Sequence, residues 1–478
     1  MRPNCPTSAA AAVLAFACTL APGSMVVAQP VASSASAAPA SGPRMTLAFE
    51  KYALPNGLEV ILHEDHRTPV VAVNIWYHVG AKDEGPGRSG FAHLFEHVMF
   101  QGSRNVGEDK FFYYLERAGA SDRNGSTNFD RTNYYETVPS GELGLALWLE
   151  SDRMGYLLDH ANEKTFTEQR EVVKNERRQR VENASYGFVS QFIYETLFPL
   201  GHPYHRPVIG LPEDLDAAKI DDVRSFFRRY YVPNNATLVV AGDFQPAKAK
   251  ELVAKYFGGL PRGADPGVIR GPLPPPPLTA QKRIDIEADV TLPRLVISWV
   301  TPPHYAPGDA DLDIASDILS SGKSSRLYKR LVYDLQIAQS AIAYQASYEL
   351  ASVFEISVTL QKGRSLDEAL GLVDSELDKL RFALPPEDEV ARARTRSLTG
   401  LVFGAERVTG RADTLNTYNR RTGDPGFFDK DLRRYESITA ADVTKAIQTY
   451  LRKDNRIVTY VHPTEGAPRA GRLVTRGQ

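Results

Sequence analysis

His93, Glu96 and His97 form the spacing H-x-x-E-H within the run Gly90-Phe-Ala-His-Leu-Phe-Glu-His-Val-Met-Phe100. Two histidines four positions apart share one face of a helix, so both imidazoles can reach one metal ion. Glu96 stands beside His97, where its carboxylate can accept a proton from water at that ion. The spacing predicts a hydrolytic metal site in which His93 and His97 are ligands and Glu96 is the base.

The helix that must carry these residues is amphipathic. Its apolar side is formed by Phe91, Leu94, Phe95, Val98 and Met99. Both histidines and the glutamate fall together on the other side. The alternative interpretation is an ordinary surface helix with polar histidines, but the grouping of metal-binding and basic side chains favours the metal site.

A metal held by two histidines needs a third protein ligand and an open position for water. The candidate is Glu176, in the helical run from Thr165 to Arg180. Gln169, Val172, Val173 and Glu176 share one face of that helix, so the carboxylate is directed to a side with apolar contacts. Composition alone favours the alternative, a solvated charge in a helix rich in Arg and Glu.

Composition narrows the ligand chemistry and the partners. The 478 residues are 42% hydrophobic and 24% charged, with a net charge of −2 and no basic block, which gives no indication of a nucleic-acid partner. Both cysteines, Cys5 and Cys18, lie near the N-terminus, in a segment predicted to be removed. Zinc ligands in the mature chain must therefore be nitrogen and oxygen atoms.

The N-terminus has the pattern of an export signal. Arg2 precedes the apolar stretch from Ala9 to Leu20, and Val26-Val-Ala28 fits a small-residue cleavage site. We expect a signal peptide at 1–28, a flexible leader at 29–45, and an exported protein of the periplasm or the medium. Acylation of Cys18 is a less favoured alternative, and no other stretch has the roughly 18 apolar residues of a membrane span.

The mature chain divides into two related halves. A proline-rich stretch, Pro261 to Ala280, predicts an extended connector. At one constant offset in residue number, Asp222 and Tyr230 correspond to Asp442 and Tyr450, and the motif helix corresponds to a second apolar helix. This predicts a zinc-binding domain at 46–262, a linker at 263–282 and a homologous domain at 283–470. The alternative is two unrelated α+β domains.

In this register the second copy lacks the imidazoles. His93, Glu96 and His97 correspond to Asp313, Ser316 and Asp317, so the second copy should form a wall of the site. Each half mixes helical periodicity with short β-type runs, which predicts an α+β fold with sheets covered by helices. The expected segments are strands at 58–62, 70–76, 238–240 and 295–299, and helices at 141–153 and 215–231.

Together the motifs resemble the pitrilysin/insulinase family of zinc metallopeptidases. The resemblance rests on two motifs, H-x-x-E-H and, further along the chain, the helix Val172-Val-Lys-Asn-Glu-Arg-Arg-Gln179. The likeness extends from about Thr46 to His462 and is greatest to short members, including mitochondrial-processing-peptidase-like and bacterial exported proteins. It implies Zn²⁺ as cofactor, His93, His97 and Glu176 as its ligands, Glu96 as the base, and half of a clamshell made of two homologous α+β domains.

The resemblance also gives a meaning to the segment from Asn124 to Tyr135. This segment is similar to the family's edge strand beside the metal, which can bind an extended peptide by adding it to the sheet. Asn124, Gly125 and Ser126 would then contact the substrate backbone. An ordinary turn and strand is the alternative.

Two departures from the family pattern matter. Members often have a glutamate seven residues before the third ligand, where this chain has Gln169, with Glu168 and Glu171 nearby. Active members also carry an arginine and a tyrosine in the C-terminal copy, where this chain has Val332 and Gln339. In two-chain members a partner chain supplies that pair, so the resemblance implies a homologous partner subunit or a homodimer.

The sequence therefore predicts a zinc-dependent endopeptidase that hydrolyses extended peptides. The alternative is a peptide-binding or scaffold protein with a structural metal, although such sites usually have four protein ligands, often cysteine. His202 and His205 lie among Gly and Pro residues and are expected to form a surface turn.

Overall fold

The computed structural model describes residues 46–476. The predicted signal peptide, the leader and both cysteines lie outside the described residues. Within the described range, no helix is both long and apolar enough to cross a membrane.

Two six-stranded sheets contain the strands. The first consists of β1 (Glu50–Ala53), β2 (Glu59–Glu64), β3 (Val70–Tyr77), β4 (Ser121–Thr127), β5 (Thr132–Pro139) and β6 (Ala236–Gly242). The second consists of β7 (Lys282–Ala288), β8 (Arg294–Thr301), β9 (Ala338–Ala346), β10 (Ser352–Leu360), β11 (Ile457–Pro463) and β12 (Arg472–Arg476). All four predicted strands are confirmed as parts of β2, β3, β6 and β8, although Leu58 lies just before β2.

Helices cover these sheets. In the first half they are α1 (Phe91–Val98), α2 (Lys110–Arg117), α3 (Leu143–Tyr156), α4 (Glu163–Arg177), α5 (Val189–Leu197), α6 (Pro212–Ala217), α7 (Ile220–Tyr230) and α8 (Pro246–Phe257). In the second half they are α9 (Asp309–Ser320), α10 (Leu366–Phe382), α11 (Glu387–Gly404), α12 (Val408–Thr422), α13 (Phe428–Glu436) and α14 (Ala440–Tyr450). Two short π-helices, Arg178–Glu182 and Tyr328–Asp334, follow α4 and α9.

The two sheets have the same topology. The first has the order β1-β2-β6-β3-β5-β4 and the second the order β12-β7-β11-β8-β10-β9. The parallel pair β2 and β6 corresponds to the parallel pair β7 and β11, and the other pairs are antiparallel in both sheets. Helices α7 and α14 are related by the predicted offset along the chain. The duplicated α+β fold is thus confirmed, and β12 extends the second sheet beyond residue 470.

The first sheet is covered on both faces, which explains why β3 is apolar at nearly every position. One face packs on the helices of its own half, and the other packs on α12, α13 and the end of α11 from the second half. Residues of β3 from Val71 to Tyr77 are all buried, because strands buried on both faces lose the apolar–polar alternation. The second half therefore supports the sheet that carries the predicted site.

One predicted helix is wrong in its extent. The periodicity predicts a single helix from Leu215 to Tyr231, but Ala218 and Lys219 are extended and separate α6 from α7. The carboxylate of Asp222 accepts the backbone N–H of Lys219 at 3.0 Å and so caps a new helix. The residues between α8 and β7, 258–281, are all described and contain neither helix nor strand.

Candidate metal centre

Helix α1 is fixed at its N-terminus by a tight contact and a buried carboxylate. Gly90 has φ 86°, and a Cβ there would lie 2.6 Å from Cα of Gly210, so neither glycine leaves room for a side chain. Glu84 accepts the backbone N–H of Gly90 at 3.0 Å and of Ala92 at 2.7 Å. These bonds satisfy N–H groups that a helix start leaves without partners. Burial raises the pKa of Glu84 well above its usual range.

Helix α4 brings the third candidate to α1. Its first turn is capped by Asn162, whose side-chain oxygen accepts the N–H of Thr165 at 3.1 Å. Phe166 and Val173 anchor the helix in the core. Val172 is 45% exposed, so the prediction that it shares an inward face with Val173 and Glu176 is wrong. The π-helix that continues α4 carries Arg180, whose guanidinium lies 2.8 Å from Oε1 of Glu176.

His93, His97 and Glu176 converge on one point. Oε2 of Glu176 lies 3.6 Å from Nε2 of His93 and 3.3 Å from Nε2 of His97. Two ligand atoms held about 2.1 Å from one ion at a tetrahedral angle are about 3.4 Å apart, so the separations fit a shared ion. Two imidazoles and one carboxylate are also a ligand set of catalytic zinc sites. Among the described residues this trio forms the only such cluster of His, Cys, Asp and Glu.

The electrostatics of the trio suit a cation. Burial, followed by the neighbouring His97, lowers the pKa of His93 to about 4, so its imidazole is neutral at pH 7, the form that binds metals. The hydrogen bond with His97 lowers the pKa of Glu176, which keeps its carboxylate ionised. Nδ1 of His93 is buried and lacks a hydrogen-bond partner in the described part of the chain. No hydrogen bond at Nδ1 from that part of the chain therefore fixes the tautomer of this ring.

Glu96 lies beside the trio and is held by strand β4. The hydroxyl of Thr127 donates to Oε2 of Glu96 at 2.7 Å. A Cβ on Gly125 would lie 3.0 Å from Cγ of Glu96, so the strand approaches the glutamate closely there. Burial raises the pKa of Glu96, and the bond from Thr127 opposes that shift. A carboxylate with a raised pKa is suited to accept a proton and release it again.

All the predicted site residues line one cavity of about 550 Å³. Its walls are His93, Glu96, His97, Phe100, Gln101, Phe112, Asn124, Gly125, Ser126, Thr127, Gln169, Glu176 and Arg180. Gln169 itself faces the cavity. Glu168 and Glu171 instead lie at the surface, where they pair with Lys164 and Lys174. The structure thus brings together the motif, Glu176 and the predicted substrate strand.

Strand β4 is the last strand of the first sheet. The backbone N–H of Asn128 donates to the carbonyl of Arg131 at 3.0 Å, which makes these residues a hydrogen-bonded pair. Pairs alternate along an antiparallel ladder, so the backbone N–H and C=O groups of Gly125 and Thr127 point away from β5. Of the three residues predicted from the sequence, Gly125 has this outward backbone, whereas Asn124 and Ser126 pair with β5.

The other predicted positions lie away from the cavity. Val332 is partly buried against the core of the second half, and Gln339 is exposed on β9. His202 and His205 form a turn in which their rings bond to the carbonyls of Leu273 and Phe198, at 2.7 Å each. Neither histidine belongs to the cluster of His93, His97 and Glu176.

Sequence reasoning missed several residues of the cavity, notably Thr127 and Arg180. Thr127 shares a strand face with Gly125, and Arg180 lies four residues after Glu176, so alternation and helical spacing were available signals. Phe100 and Phe112 also escaped the prediction, since their rings stack at 4.8 Å only after α1 and α2 meet.

The sequence matches models of two domains of one peptidase family. A sequence model of insulinase, peptidase family M16, matches residues 59–208, and a model of the peptidase M16 inactive domain matches residues 217–397. The zinc protease PqqE of Helicobacter pylori is 26% identical over 417 residues, which cover 87% of this chain and 93% of that protein.

Solved structures share the fold. A protease from Helicobacter pylori matches with a TM-score of 0.80 and 26% identity over 87% of this chain and 100% of that chain. The periplasmic protease PqqL from Escherichia coli matches with a TM-score of 0.72 and 18% identity, over 89% of this chain but 48% of that chain. The present fold therefore corresponds to about half of PqqL.

Proposed function

Because the chain belongs to the insulinase family of peptidases, M16, we propose that it is a zinc-dependent endopeptidase acting on extended peptides or small unfolded polypeptides. The observation that carries the proposal is the convergence of His93, His97 and Glu176 beside Glu96 in one cavity. An ion held by these three groups would offset their burial, and the neighbouring carboxylate of Glu96 would then have a chemical use.

His93, His97 and Glu176 would hold the zinc ion. When bound, zinc supplies a Lewis acid that polarises the scissile carbonyl and makes water a nucleophile near neutral pH. Glu96 takes the proton from that water and delivers it to the leaving amine nitrogen, because a buried carboxylate of raised pKa can do both. The reaction needs no covalent link between the chain and its substrate.

The peptide would bind as an additional strand beside β4. The outward N–H and C=O groups of Gly125 and Thr127 supply main-chain hydrogen bonds that any sequence can accept. Asn124 and Ser126 would contact the substrate through their side chains. The N–H of Gly125 is now accepted by Oδ1 of Asn124 at 2.9 Å, so peptide binding must displace that amide.

We further propose that this chain is the zinc-bearing subunit of a two-chain clamshell. Val332 and Gln339 occupy the places of the arginine and tyrosine that the family resemblance implies, so a homologous partner would supply them. The match to half of the PqqL chain supports a two-half enzyme. The export-type N-terminus supports a periplasmic or secreted location.

The absence of the arginine and tyrosine at Val332 and Gln339 favours a second candidate, a peptide-binding or scaffold subunit in which zinc is structural. In that case a peptide would bind at β4 without being cleaved. The two candidates differ in one measurable property, since only a peptidase requires Glu96 after zinc and peptide are bound.

The decisive experiment is hydrolysis of a mixed library of unstructured peptides by the purified, zinc-loaded chain, alone and with a homologous partner chain. We expect cleavage that stops with a chelator and falls at least about a thousandfold in Glu96→Gln, with one zinc retained. Ser316→Ala, at the matching position of the second half, should cleave like the wild type. Cleavage undiminished in Glu96→Gln would refute the proposal, and peptide binding without cleavage in every combination would establish the scaffold role.

A further inference from the structure

Two residues of β4, Gly125 and Thr127, hold Glu96 from one side. Thr127 donates its hydroxyl to Oε2 of Glu96 at 2.7 Å, and Gly125 leaves the space in which Cγ of Glu96 packs. Residues two apart in a strand share a face, so both contacts come from the face of β4 that meets α1. The carboxylate is thereby fixed through one oxygen, and Oε1 is left for proton transfer.

Because Thr127 pairs with Thr132 on β5, the pairing of the two strands sets where its hydroxyl lies. It lies 3.5 Å from Oγ1 of Thr132 on the paired strand β5, and Thr132 donates to the carbonyl of Val79 at 3.0 Å. The position of Glu96 therefore follows the position of β4 relative to β5.

The same two residues present their backbone groups at the free edge of the sheet. Gly125 and Thr127 direct N–H and C=O groups away from β5, as the alternation of pairs requires. Their side-chain positions face the base, and their main chains face the groove where a peptide strand would pair. A contact made by the peptide at this edge thus acts on the residues that hold Glu96.

We propose that Thr127 is the positioning residue of Glu96, and that pairing of a peptide with β4 at Gly125 and Thr127 improves the position of this base. The inference rests on the proposed peptidase function and deepens it. Binding energy from peptide residues remote from the scissile bond then raises kcat. This follows because that energy orders Glu96, which is needed for the chemical step and not for binding.

Thr127→Val tests the hydrogen bond, because valine keeps the branched shape and lacks the hydroxyl. We expect kcat to fall about tenfold with little change in KM, as suits the loss of a bond to a charged group. Thr127→Ser restores a hydroxyl and should recover kcat to within about threefold. The zinc content of both variants should match the wild type. Equal kcat in wild type and Thr127→Val would overturn the assignment.

Peptide length tests the coupling. In the wild type, lengthening a peptide so that it can pair along β4 should raise kcat as well as lower KM. In Thr127→Val the same extension should lower KM only. An equal gain in kcat with both proteins would show that strand pairing and the base are independent, and would refute the coupling.

Crystal structures of the metal-free wild type and Thr127→Val give a readout independent of turnover. We expect Glu96 to keep one conformation in the wild type and to leave the contact with residue 127, or adopt several conformations, in the variant. An unchanged Glu96 in Thr127→Val would refute the positioning role. If the wild type cleaved no peptide, the peptidase proposal would fail while this structural comparison still decided the role of Thr127.

Discussion

Helices α1 and α9 occupy the same place in two copies of one fold, yet their polar residues are of different types. In the register that relates the two copies, His93 and His97 correspond to Asp313 and Asp317, and Glu176 corresponds to Arg396 on α11. Helix α11 packs against α9 as α4 packs against α1. In the second copy an arginine thus takes the position of Glu176, the proposed metal-binding carboxylate. Burial raises the pKa of Asp317, and the charge of Arg396 opposes that shift.

The two helices also differ in the space they leave. The cavity at His93 and Glu96 has about 550 Å³, whereas the cavity beside Asp317 and Arg396 has about 40 Å³. Protein donors fill the second place, since Tyr435 donates to Asp313 at 2.7 Å and Ser397 to Asp317 at 3.4 Å. The comparison teaches that topology provides the location, while the sign of the charges and the remaining space decide whether a metal and a substrate can enter.

The largest expected effect is a loss of metal that is confined to the first copy. Glu176→Gln should reduce bound zinc from about one per chain to almost none at micromolar free zinc, because a neutral amide is a poor zinc ligand. Asp317→Asn, its control in the second copy, should keep one zinc. Metal analysis after dialysis measures both. Full zinc in Glu176→Gln would remove Glu176 from the ligands, and a loss in Asp317→Asn would break the comparison.

The next effect concerns a buried ion pair between the two copies, Asp130 of the first and Arg421 of the second. Asp130, on the turn after β4, accepts bonds from Arg421 at 2.6 Å, Tyr204 at 2.5 Å and the backbone N–H of Glu349 at 3.0 Å. Asp130→Ala leaves Arg421 buried without this partner, so the free energy of unfolding should fall by about 3–5 kcal/mol. Urea unfolding measures the change.

The control for that prediction is an exposed pair. The side chain of Asp221 is 84% exposed and faces Arg224 at 2.9 Å, so Asp221→Ala should change stability by less than about 0.5 kcal/mol. If both alanine variants unfolded at the same urea concentration as the wild type, the ionic contact would not couple the two copies.

A smaller effect is expected where β4 meets the base. Gly125→Ala places a Cβ 3.0 Å from Glu96 and 3.2 Å from both Phe100 and Tyr134, so these neighbours must move by a few tenths of an ångström. We expect about 1 kcal/mol of lost stability and a severalfold lower kcat in peptide hydrolysis. Gly141→Ala, which meets nothing within 4 Å, is the matched control. A Gly125→Ala enzyme with wild-type kcat would show that the close approach has no role.

Local patterns were sufficient for part of this picture. The spacing of His93, Glu96 and His97 predicts both the helix and the shared face, because helical geometry alone brings i and i+4 together. The repeated offset predicts the duplicated fold, and apolar runs predict β3 and β8. The proposed role of Glu176 needed the family resemblance, since its contact with α1 depends on how two distant helices pack.

The remaining features depend on contacts that no local pattern encodes. The break before α7 arises from the capping carboxylate of Asp222, which competes with an unbroken helical periodicity. The crossing of α12 to the first sheet and the hydroxyl of Thr127 at Glu96 are tertiary contacts between segments far apart in the chain. Arg396 can be recognised as the counterpart of Glu176 only after α11 is aligned with α4 in the duplicated fold.

The smallest predicted effect sharpens the comparison through pH. Burial and the neighbouring Asp309 raise the pKa of Asp313 to about 8, against about 3.9 in an unfolded chain. Between pH 4 and 8 the folded state retains a proton that the unfolded chain releases, so this residue lowers stability as pH rises. Asp313→Asn removes that dependence. From pH 7 to 8 the variant should lose less stability than the wild type, by about 1 kcal/mol in urea unfolding. Comparing the change with pH cancels any constant cost of the amide. Parallel profiles for the two proteins would show that Asp313 is ionised at neutral pH and would refute the raised pKa.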